Sequence, residues 1–275
     1  MASSTQKYWR FQCRALLTRV GLWGPFERWR LRQRFQRGIA HEPDFAFFRH
    51  FADSNQLFVD IGANLGQSAL SFRLANRSAS ILSFEPNPDM APALRVVKEL
   101  LGASFDFRLH GLGARTEERP LFVPIVKGVP FPQCATFQRE CLVNNPSVRQ
   151  LFHEWTHTDQ FEIVERAIQL VRFDELGLDP AFVKIDVEGG EHEVVAGMEE
   201  TLKRCRPLVI TEGCGAQTLL TQFGYQTFVH EPAGNTLRLA LSGESAPNVF
   251  YVPAEKITAF ERIGALQCSP ARRAA

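Results

Sequence analysis

The sequence lacks a long apolar run and a regular cysteine pattern. No window of about 18 residues is apolar enough to span a bilayer, and charges interrupt each apolar stretch near the start, which argues against a secretory signal. The six cysteines form no C-x-x-C pair, so neither a disulfide framework nor a zinc knuckle is indicated. These absences predict a reduced, intracellular protein, and we expect it in the cytoplasm.

A strong overall charge is also missing. The 275 residues are 45% hydrophobic and 22% charged, with a net charge of +1. This composition is sufficient for one α/β domain, which we assign to residues 41–275, preceded by a basic and aromatic segment of residues 1–40. The charge is uneven, because residues 1–37 hold nine Lys and Arg against Glu27 alone.

One stretch, Leu57–Gly66 (LFVDIGANLG), has the pattern of a strand, a tight turn and a helix start. Its first five residues are apolar apart from Asp60, as expected of a strand buried on both faces of a parallel sheet. Gly62 and Gly66 allow the backbone to turn sharply and to pass close to a ligand. Ligands of open α/β sheets bind at this edge, which makes Asp60, Gly62, Asn64 and Gly66 candidate binding residues. A plain βα turn capped by Asp60 is the alternative.

A second acidic residue, Glu85, directly follows the next apolar run, Ile81–Phe84. It lies 23 residues beyond Gly62, a spacing that fits one βαβ unit. A carboxylate at this strand end can accept hydrogen bonds from both ribose hydroxyls of an adenosine. Glu85 is therefore a candidate nucleoside-binding residue.

The turn lacks the motifs that bind phosphate. Neither G-x-G-x-x-G nor G-x-x-x-x-G-K-[ST] is present, Asn64 stands where a second close-approach glycine would be expected, and residues 57–72 contain no Lys or Arg. An anionic ligand is therefore not expected. S-adenosylmethionine fits better, since its adenosine suits Glu85 and its ammonium and sulfonium charges would be attracted by Asp60.

Three segments resemble the FkbM family of S-adenosylmethionine-dependent methyltransferases. They are FVDIGANLG, FEPNP and FVKIDVEGGEHEVVAGMEETLKRCRPLVITE, in this order across residues 57–212, and KIDVEGGE is the most distinctive part. The resemblance implies an α/β fold with a Rossmann-like class I methyltransferase sheet, mostly parallel with an antiparallel C-terminal pair. It also implies methyl transfer to a hydroxyl of a sugar, glycan, polyketide or related small molecule.

An insertion at about residues 115–173 replaces the crossover helix expected after the third strand. Leu112, just after that strand, is predicted to lie near the adenine. Inside the insertion, Leu121–Val126 and Phe161–Phe173 alternate like strands, whereas Pro146 indicates irregular chain. Loops above a rigid sheet commonly shape an acceptor pocket, so we expect the insertion to cover the ligand edge.

Acidic residues cluster where the strand Ala181–Val187 meets the next helix, predicted for Glu191–Arg204. Asp186 and Glu188 are the candidate catalytic residues, because an acid at the end of a central strand is unfavourable unless paired. As a general base toward the acceptor hydroxyl, Asp186 would work best with a raised pKa. In a second, less favoured interpretation, Asp186 and Glu212 bind Mg²⁺ and the ion activates the hydroxyl.

The segment His153-Glu154-Trp155-Thr156-His157 matches the zinc motif H-E-x-x-H. A zinc site also needs a stable helix and a third ligand, yet helix propensity here is modest and the chain becomes strand-like at Phe161. We therefore predict a surface segment without a metal, and contact of His153 or His157 with the substrate is the alternative.

Residues 7–37 interleave basic and aromatic side chains, with a break at Gly24-Pro25. Such a segment can lie on an anionic membrane surface, or it can pack its aromatic side on the domain and leave its arginines in solvent. A mitochondrial presequence and a nucleic-acid-binding arm share this composition, but no nucleic-acid partner is expected. The next residues, 41–54, are predicted to form a short helix in which His41 has no special role.

Together these features predict an S-adenosylmethionine-dependent enzyme that methylates an oxygen of a small molecule, sugar or glycan. The alternative is a non-catalytic protein of the same fold that binds an adenosine ligand or acts as a membrane-associated partner.

Overall fold

Two β-sheets organise the chain in the computed structural model, which describes residues 4–53, 55–241, 243–244 and 246–267. With strands numbered in chain order, the larger sheet contains Leu57–Ile61 (β1), Ser80–Phe84 (β2), Phe105–Arg108 (β3), Pro180–Ile185 (β8), Leu208–Glu212 (β9), Tyr225–Glu231 (β10), Thr236–Leu239 (β11) and Asn248–Pro253 (β12). The smaller sheet contains Gly111–Gly113 (β4), Glu117–Val126 (β5), Val129–Pro130 (β6) and Glu162–Arg172 (β7).

The larger sheet has the strand order β11-β10-β12-β9-β8-β1-β2-β3. Strands β3, β2, β1, β8 and β9 are parallel neighbours, and β12 runs antiparallel between β9 and β10. The predicted Rossmann-like methyltransferase sheet with an antiparallel C-terminal pair is therefore confirmed. Because parallel strands end at one edge, the residues after β1, β2, β8 and β9 meet there.

The central strands are apolar on both faces because each face is covered by a separate core. One core contains the stacked rings of Phe58 and Phe72, whose centroids are 4.0 Å apart. The other core contains Val59, Val183 and Val209. Burial on both faces explains the nearly continuous apolar runs of these strands.

The helices are Ser4–Arg19 (α1), Trp23–Gln36 (α2), Gln67–Ala75 (α3), Ala91–Leu101 (α4), Arg139–Asn144 (α5), Pro146–Thr156 (α6), Glu191–Ala196 (α7), Glu199–Cys205 (α8), Gln217–Gln222 (α9) and Ile257–Arg262 (α10). Pro146 was predicted in irregular chain, but it begins α6, where a missing N–H is tolerated. The single helix predicted over Glu191–Arg204 is also wrong, since it is broken between α7 and α8. At the break, a Cβ on Gly197 would lie 2.0 Å from the Gly113 carbonyl oxygen.

Residues 115–173 form most of the smaller sheet together with α5 and α6. In this sheet β5 pairs antiparallel with β7 over its whole length, from Glu117 opposite Leu170 to Ile125 opposite Glu162. The strands expected within the insertion are therefore present.

The N-terminal segment packs its inner side on the domain. Phe11 and Ala15 of α1 are buried against Phe131 and Phe152 of the insertion, and α2 packs against the main core beside α3 and α4. Within the described ranges, no helix has the length and apolar character needed to cross a membrane. Five cysteines are free thiols, and Cys268 lies outside the described residues.

A 3-10 helix, Pro43–Phe51, connects the N-terminal helices to β1. Its Phe47 and Phe48 are fully buried, and the ring of Phe47 contacts Phe250 of β12 edge-on. This packing fixes the residues just before it, His41 and Glu42, at the carboxyl edge of the sheet.

Candidate active site

A cavity of about 290 Å³ lies at the carboxyl edge of the larger sheet. Its floor and one side come from the loops after β1, β2, β8 and β9, and the insertion covers the opposite side with Leu121, Pro132, Gln133, Ala135 and Phe137. This volume is near the lower end of the range for small-molecule sites. The predicted position of the insertion over the ligand edge is thus the one observed.

The glycine turn after β1 brings two loops together. Gly62 has a φ of +83°, and a Cβ there would lie 1.8 Å from the carbonyl oxygen of Asp186. Only glycine permits this approach, and Gly62 lines the cavity. Gly66, also at positive φ, does not line it, and a Cβ there would meet Val97 of α4 at 2.7 Å. Gly66 therefore serves helix packing rather than direct ligand contact.

Glu85 lies on the cavity wall with its carboxylate held by two backbone amides. The N–H of Asn64 donates to Oε2 at 2.7 Å, and the N–H of Asn87 donates to Oε1 at 2.8 Å. Burial raises the pKa of Glu85 to about 7, although these two hydrogen bonds act in the opposite direction. Each oxygen keeps a second lone pair, so the carboxylate can still accept hydrogen bonds from a ligand.

Asp60 is fully buried beneath the cavity and does not form part of its wall. The Ser83 hydroxyl donates to Oδ2 at 3.0 Å, while Oδ1 has no hydrogen-bond partner among the described residues. Burial raises the pKa of Asp60 to about 6, against the influence of the Lys184 ammonium. The expected direct contact between Asp60 and a ligand cation does not match this geometry, because a direct contact requires a place on the wall.

Lys184 is a site residue that sequence reasoning missed. It is 1% exposed in the middle of the sheet, opposite Asp60 on β1, and its Nζ lies 2.6 Å from Oδ2 of Asp186. Burial acts to lower the pKa of Lys184, but Asp186 and Asp60 together raise it. The available signal was a lysine inside a strand buried on both faces, since such a charge is tolerated only when paired.

Three carboxyl groups, those of Asp186, Glu188 and Glu212, meet within 4.8 Å of one another. Burial acts to raise the pKa of Asp186, but Lys184 and a hydrogen bond with Glu212 hold it below its ordinary value. Asp186 therefore lacks the raised pKa with which a general base would work best. The proton belongs instead to Glu212, whose pKa is raised to about 8 by the hydrogen bond with Asp186 and by burial.

Glu188 is the third acid of this cluster. Its pKa lies near neutrality, and no hydrogen bond to Asp186 contributes to that value. Burial, followed by repulsion from Asp186 and Glu191, raises its pKa to about 7. Its backbone adopts a left-handed φ of 52°, which is unusual for a side chain other than Gly, Asn or Asp. Oε1 of Glu191 accepts the N–H groups of Val187 and Gly189, which holds this strained loop in place.

His41 and Glu42 complete the wall, although no pattern in the sequence indicated that His41 would lie there. Burial lowers the pKa of His41, which keeps the ring neutral at pH 7. Asn248 donates to Oε2 of Glu42 at 2.9 Å and orients that carboxylate. Leu112 also lines the cavity, and its place near the adenine stays a prediction.

The H-E-x-x-H segment lies away from the cavity. His153 is in α6, but the helix ends at Thr156, and His157 adopts a left-handed conformation and stacks on Tyr8 at 4.0 Å. Neither histidine lines the cavity. Among the described residues, these side chains do not belong to any group arranged to hold a metal ion. Substrate contact by His153 or His157 therefore does not match the structure.

The cavity wall is acidic. Five carboxyl residues line it and, within the described ranges, no Lys or Arg does; the five are Glu42, Glu85, Asp186, Glu188 and Glu212. Oε1 of Gln67, at the start of α3, is buried without a hydrogen-bond partner in the described structure. Such a wall favours a ligand that carries positive charge and hydroxyl or amide donors, and it disfavours phosphates.

The parallel strand order and the acidic cavity at the carboxyl edge place the protein in the class of open-sheet α/β proteins that bind a ligand at that edge. Residues 60–219 match the Methyltransferase FkbM domain. Because this match covers more than half of the chain, the protein belongs to the FkbM methyltransferase family.

Several proteins are similar to this chain. Methyltransferase 1 of Beauveria bassiana is 26% identical over 195 residues, which cover 65% of this chain and 75% of the relative. The crystal structure of methyltransferase FkbM from Methylobacillus flagellatus is 14% identical with a TM-score of 0.44, covering 72% of this chain and 43% of that one. An S-adenosylmethionine-dependent O-methyltransferase of Thermotoga maritima is 10% identical with a TM-score of 0.39, covering 78% and 66%. Since these superpositions stay below a TM-score of 0.5, the fold rests on the strand order itself.

Proposed function

We propose that this protein transfers a methyl group from S-adenosylmethionine to a hydroxyl oxygen of a small molecule or glycan. The observation that carries the proposal is the wall of five carboxyl residues without a basic side chain, with Glu85 at the strand end where an adenosine ribose is held. S-adenosylmethionine has positive charge at its reacting end and no phosphate, so it suits this wall.

The residues of the cavity suit the separate parts of this cofactor. Glu85 would accept hydrogen bonds from the ribose hydroxyls, and Leu112 would provide an apolar surface for the base. The unpartnered Oε1 of Gln67 would accept a hydrogen bond from the ammonium group of the amino-acid part of the cofactor. Asp60 lies below the cavity wall and would not contact the cofactor. Its charge would act on the site through its interactions with the buried Lys184 and Ser83.

Glu188 is the proposed general base. Bound S-adenosylmethionine supplies an electrophilic methyl group, and when the bond from this group to the sulfonium breaks, the sulfur keeps the electron pair as a neutral thioether. The Glu188 carboxylate accepts the proton of the acceptor hydroxyl as that oxygen bonds to the methyl carbon. A pKa of about 7 suits this task, because a base is most effective when its pKa lies near the working pH.

Asp186 has a different role in this proposal. It stays ionised beside Lys184, accepts a hydrogen bond from the protonated Glu212 carboxyl group, and places negative charge close to the sulfonium in the ground state. Mg²⁺ at Asp186, Glu188 and Glu212 is the competing mechanism, because these three carboxyl groups offer oxygen ligands within 4.8 Å of one another. The Lys184 ammonium at 2.6 Å already neutralises one of these ligands, which weakens such a site.

The acceptor is expected to be uncharged, with an apolar body. The side of the cavity provided by the insertion consists of Leu121, Pro132, Ala135 and Phe137, with Gln133 as its polar group. The Arg119 guanidinium lies over the Phe137 ring, 5.7 Å from its centroid. A hydroxyl presented past this side would reach Glu188, while charged groups would have no partner there.

The first experiment is calorimetric titration with S-adenosylmethionine and S-adenosylhomocysteine beside ATP and NAD. We expect binding of the first two and none of the anionic nucleotides. The second experiment incubates the enzyme with methyl-labelled S-adenosylmethionine and a panel of uncharged hydroxyl compounds, and measures S-adenosylhomocysteine release. If S-adenosylmethionine binds but no compound of the panel leads to release of S-adenosylhomocysteine, the adenosine-sensing alternative is favoured. Binding of ATP or NAD in place of S-adenosylmethionine would overturn the cofactor assignment.

The base is tested with Glu188→Gln and Asp186→Asn on an acceptor found in this way. With S-adenosylmethionine saturating at every pH, so that the titration of Glu85 does not enter, we expect kcat/KM of the parent for the acceptor to rise with pH and to level off above about pH 7. Glu188→Gln should lose this rise and about 10²-fold or more in kcat, whereas Asp186→Asn should keep it. The opposite result would return the base role to Asp186. Insensitivity to EDTA in the parent would count against the Mg²⁺ mechanism.

A further inference from the structure

The described part of the chain concentrates its exposed apolar side chains in one segment, which consists of the two N-terminal helices, the turn between them and the residues that follow. Seven of the twelve exposed large hydrophobic residues fall within residues 9–39. Six of these form what we call the N-terminal outer face: Trp9, Leu16, Val20, Leu22, Phe26 and Trp29. Soluble proteins scatter exposed apolar residues singly, so a concentration of this kind marks an interaction surface.

The outer face follows helical spacing. In α1 and the residue that follows it, Trp9, Leu16 and Val20 recur on one stripe, and in α2 Phe26 and Trp29 continue from the cap residue. Trp9 is 64% exposed, Leu16 62% and Trp29 55%. The opposite side of the same helices faces the protein, with Phe11 and Ala15 buried in the insertion core and Leu31 and Phe35 partly buried on the main core. The outer face is therefore not needed for internal packing.

Unpaired positive charge borders this face. Arg10, Arg19 and Arg37 are exposed and make no ion pair with any residue that the structure describes. The acid of this segment, Glu27, is partly buried and interacts with Arg14 and Arg30. The surface around the outer face therefore presents basic side chains without compensating acids.

We propose that the N-terminal outer face binds the surface of an anionic lipid bilayer. Exposed Trp, Phe and Leu bordered by Arg have the chemistry of helices that lie in the interfacial region, with apolar side chains inserted and guanidinium groups at the headgroups. Two copies of this chain meeting at the same face would bring their arginines together, which opposes a dimer. A nucleic acid would leave Leu16, Val20 and Leu22 without an apolar partner.

The test is cosedimentation of the full chain with vesicles of phosphatidylcholine alone and with phosphatidylserine added. We expect binding to the anionic vesicles, weaker binding as salt is raised, and little binding to the neutral ones. The variant Leu16→Ser/Trp29→Ser should bind the anionic vesicles at least about tenfold more weakly. Its matched control is Leu239→Ser/Leu241→Ser, since those side chains are 56% and 71% exposed on a different part of the molecule.

The charge contribution is tested separately. Arg19→Glu/Arg37→Glu should weaken binding by at least about tenfold, whereas Arg262→Glu, another exposed arginine, should leave it nearly unchanged. Thermal unfolding checks that each variant is folded. Equal binding to neutral and anionic vesicles, equal loss in the control variants, or a dimer that the Leu16→Ser/Trp29→Ser variant dissociates would each overturn the proposal. The readout is independent of catalysis, so its failure leaves the methyl-transfer proposal intact.

Discussion

The pKa of Glu85 leads to a pH dependence of nucleoside binding. Raising the pKa from an ordinary value of 4.5 to about 7 means that the buried, charged carboxylate is disfavoured in the folded protein by about 3 kcal/mol. Ribose hydroxyls that donate to this carboxylate stabilise its charged form. Binding therefore requires loss of the Glu85 proton below pH 7, and affinity should fall about tenfold for each pH unit below that point.

The probe should be 5′-methylthioadenosine, which contains the adenosine and lacks the titrating amino group of S-adenosylmethionine. Calorimetry between pH 5.5 and 8.5 should give a constant affinity above about pH 8 and a proton release on binding near pH 6. Glu85→Gln should remove the pH dependence and weaken binding about tenfold to a hundredfold at pH 8, because hydrogen bonds to a charged acceptor contribute about 1.5–3 kcal/mol.

The matched control is Asp174→Asn. Asp174 accepts the backbone N–H groups of Glu200 and Thr201 at 3.0 and 2.9 Å, so its replacement perturbs a carboxylate of similar bonding far from the cavity. It should lower the unfolding temperature without changing nucleoside affinity. A Glu85→Gln protein that binds the probe as tightly as the parent, or one that keeps the same pH dependence, would refute the assignment of Glu85.

Three further predictions concern stability. Gly62→Ala should abolish cofactor binding and destabilise the protein by more than about 3 kcal/mol, because its Cβ would lie 1.8 Å from the Asp186 carbonyl oxygen. The control is Gly128→Ala, at a similar φ but with nothing within 4 Å of the added Cβ. In urea unfolding this control should lower the free energy of unfolding by only about 1 kcal/mol. Lys184→Met should destabilise the protein by about 3–5 kcal/mol, since it leaves Asp186 and Asp60 without their cation. Adding Asp186→Asn should recover part of this loss. If the two substitutions lowered the free energy of unfolding additively, the pairing would be contradicted. Without ligand, the melting temperature should fall as pH rises from about 4.5 to 7, because the folded protein keeps protons on Glu85 and Asp60 that the unfolded chain has lost; a melting temperature that rises over this range would be inconsistent with the raised pKa values.

The sheet was predictable from sequence because its strands are short apolar runs that end at glycines and acids. LFVDI and AFVKI are buried on both faces, and this requirement leaves a direct signature in composition. The edge where Glu85 and Asp186 meet followed from the parallel arrangement alone. The positions of Gly62 and Leu112 on the cavity wall followed in the same way.

The electrostatics of the site were not predictable, because they depend on neighbours from distant parts of the chain. Burial acts to raise the pKa of Asp186, but Lys184, two residues before it, and Glu212 at the end of the next strand hold it below its ordinary value. Spacing alone gave no sign that Asp60 lies below the wall. His41 reached the wall through the packing of Phe47 and Phe48, which no local pattern reports.

The connection between α2 and the cavity has a practical consequence for work on this protein. Only residues 37–40 separate the end of α2 from His41, and Arg34 donates to the Ala40 carbonyl oxygen at 2.9 Å while the N–H of His41 donates to Ser71. Removal of the amino-terminal residues through the end of α2 would therefore eliminate the Arg34 hydrogen bond that anchors the wall. It would also expose apolar side chains of α3. A shortened protein that fails in an assay would be reporting on this lost support, not on the chemistry at the carboxyl edge.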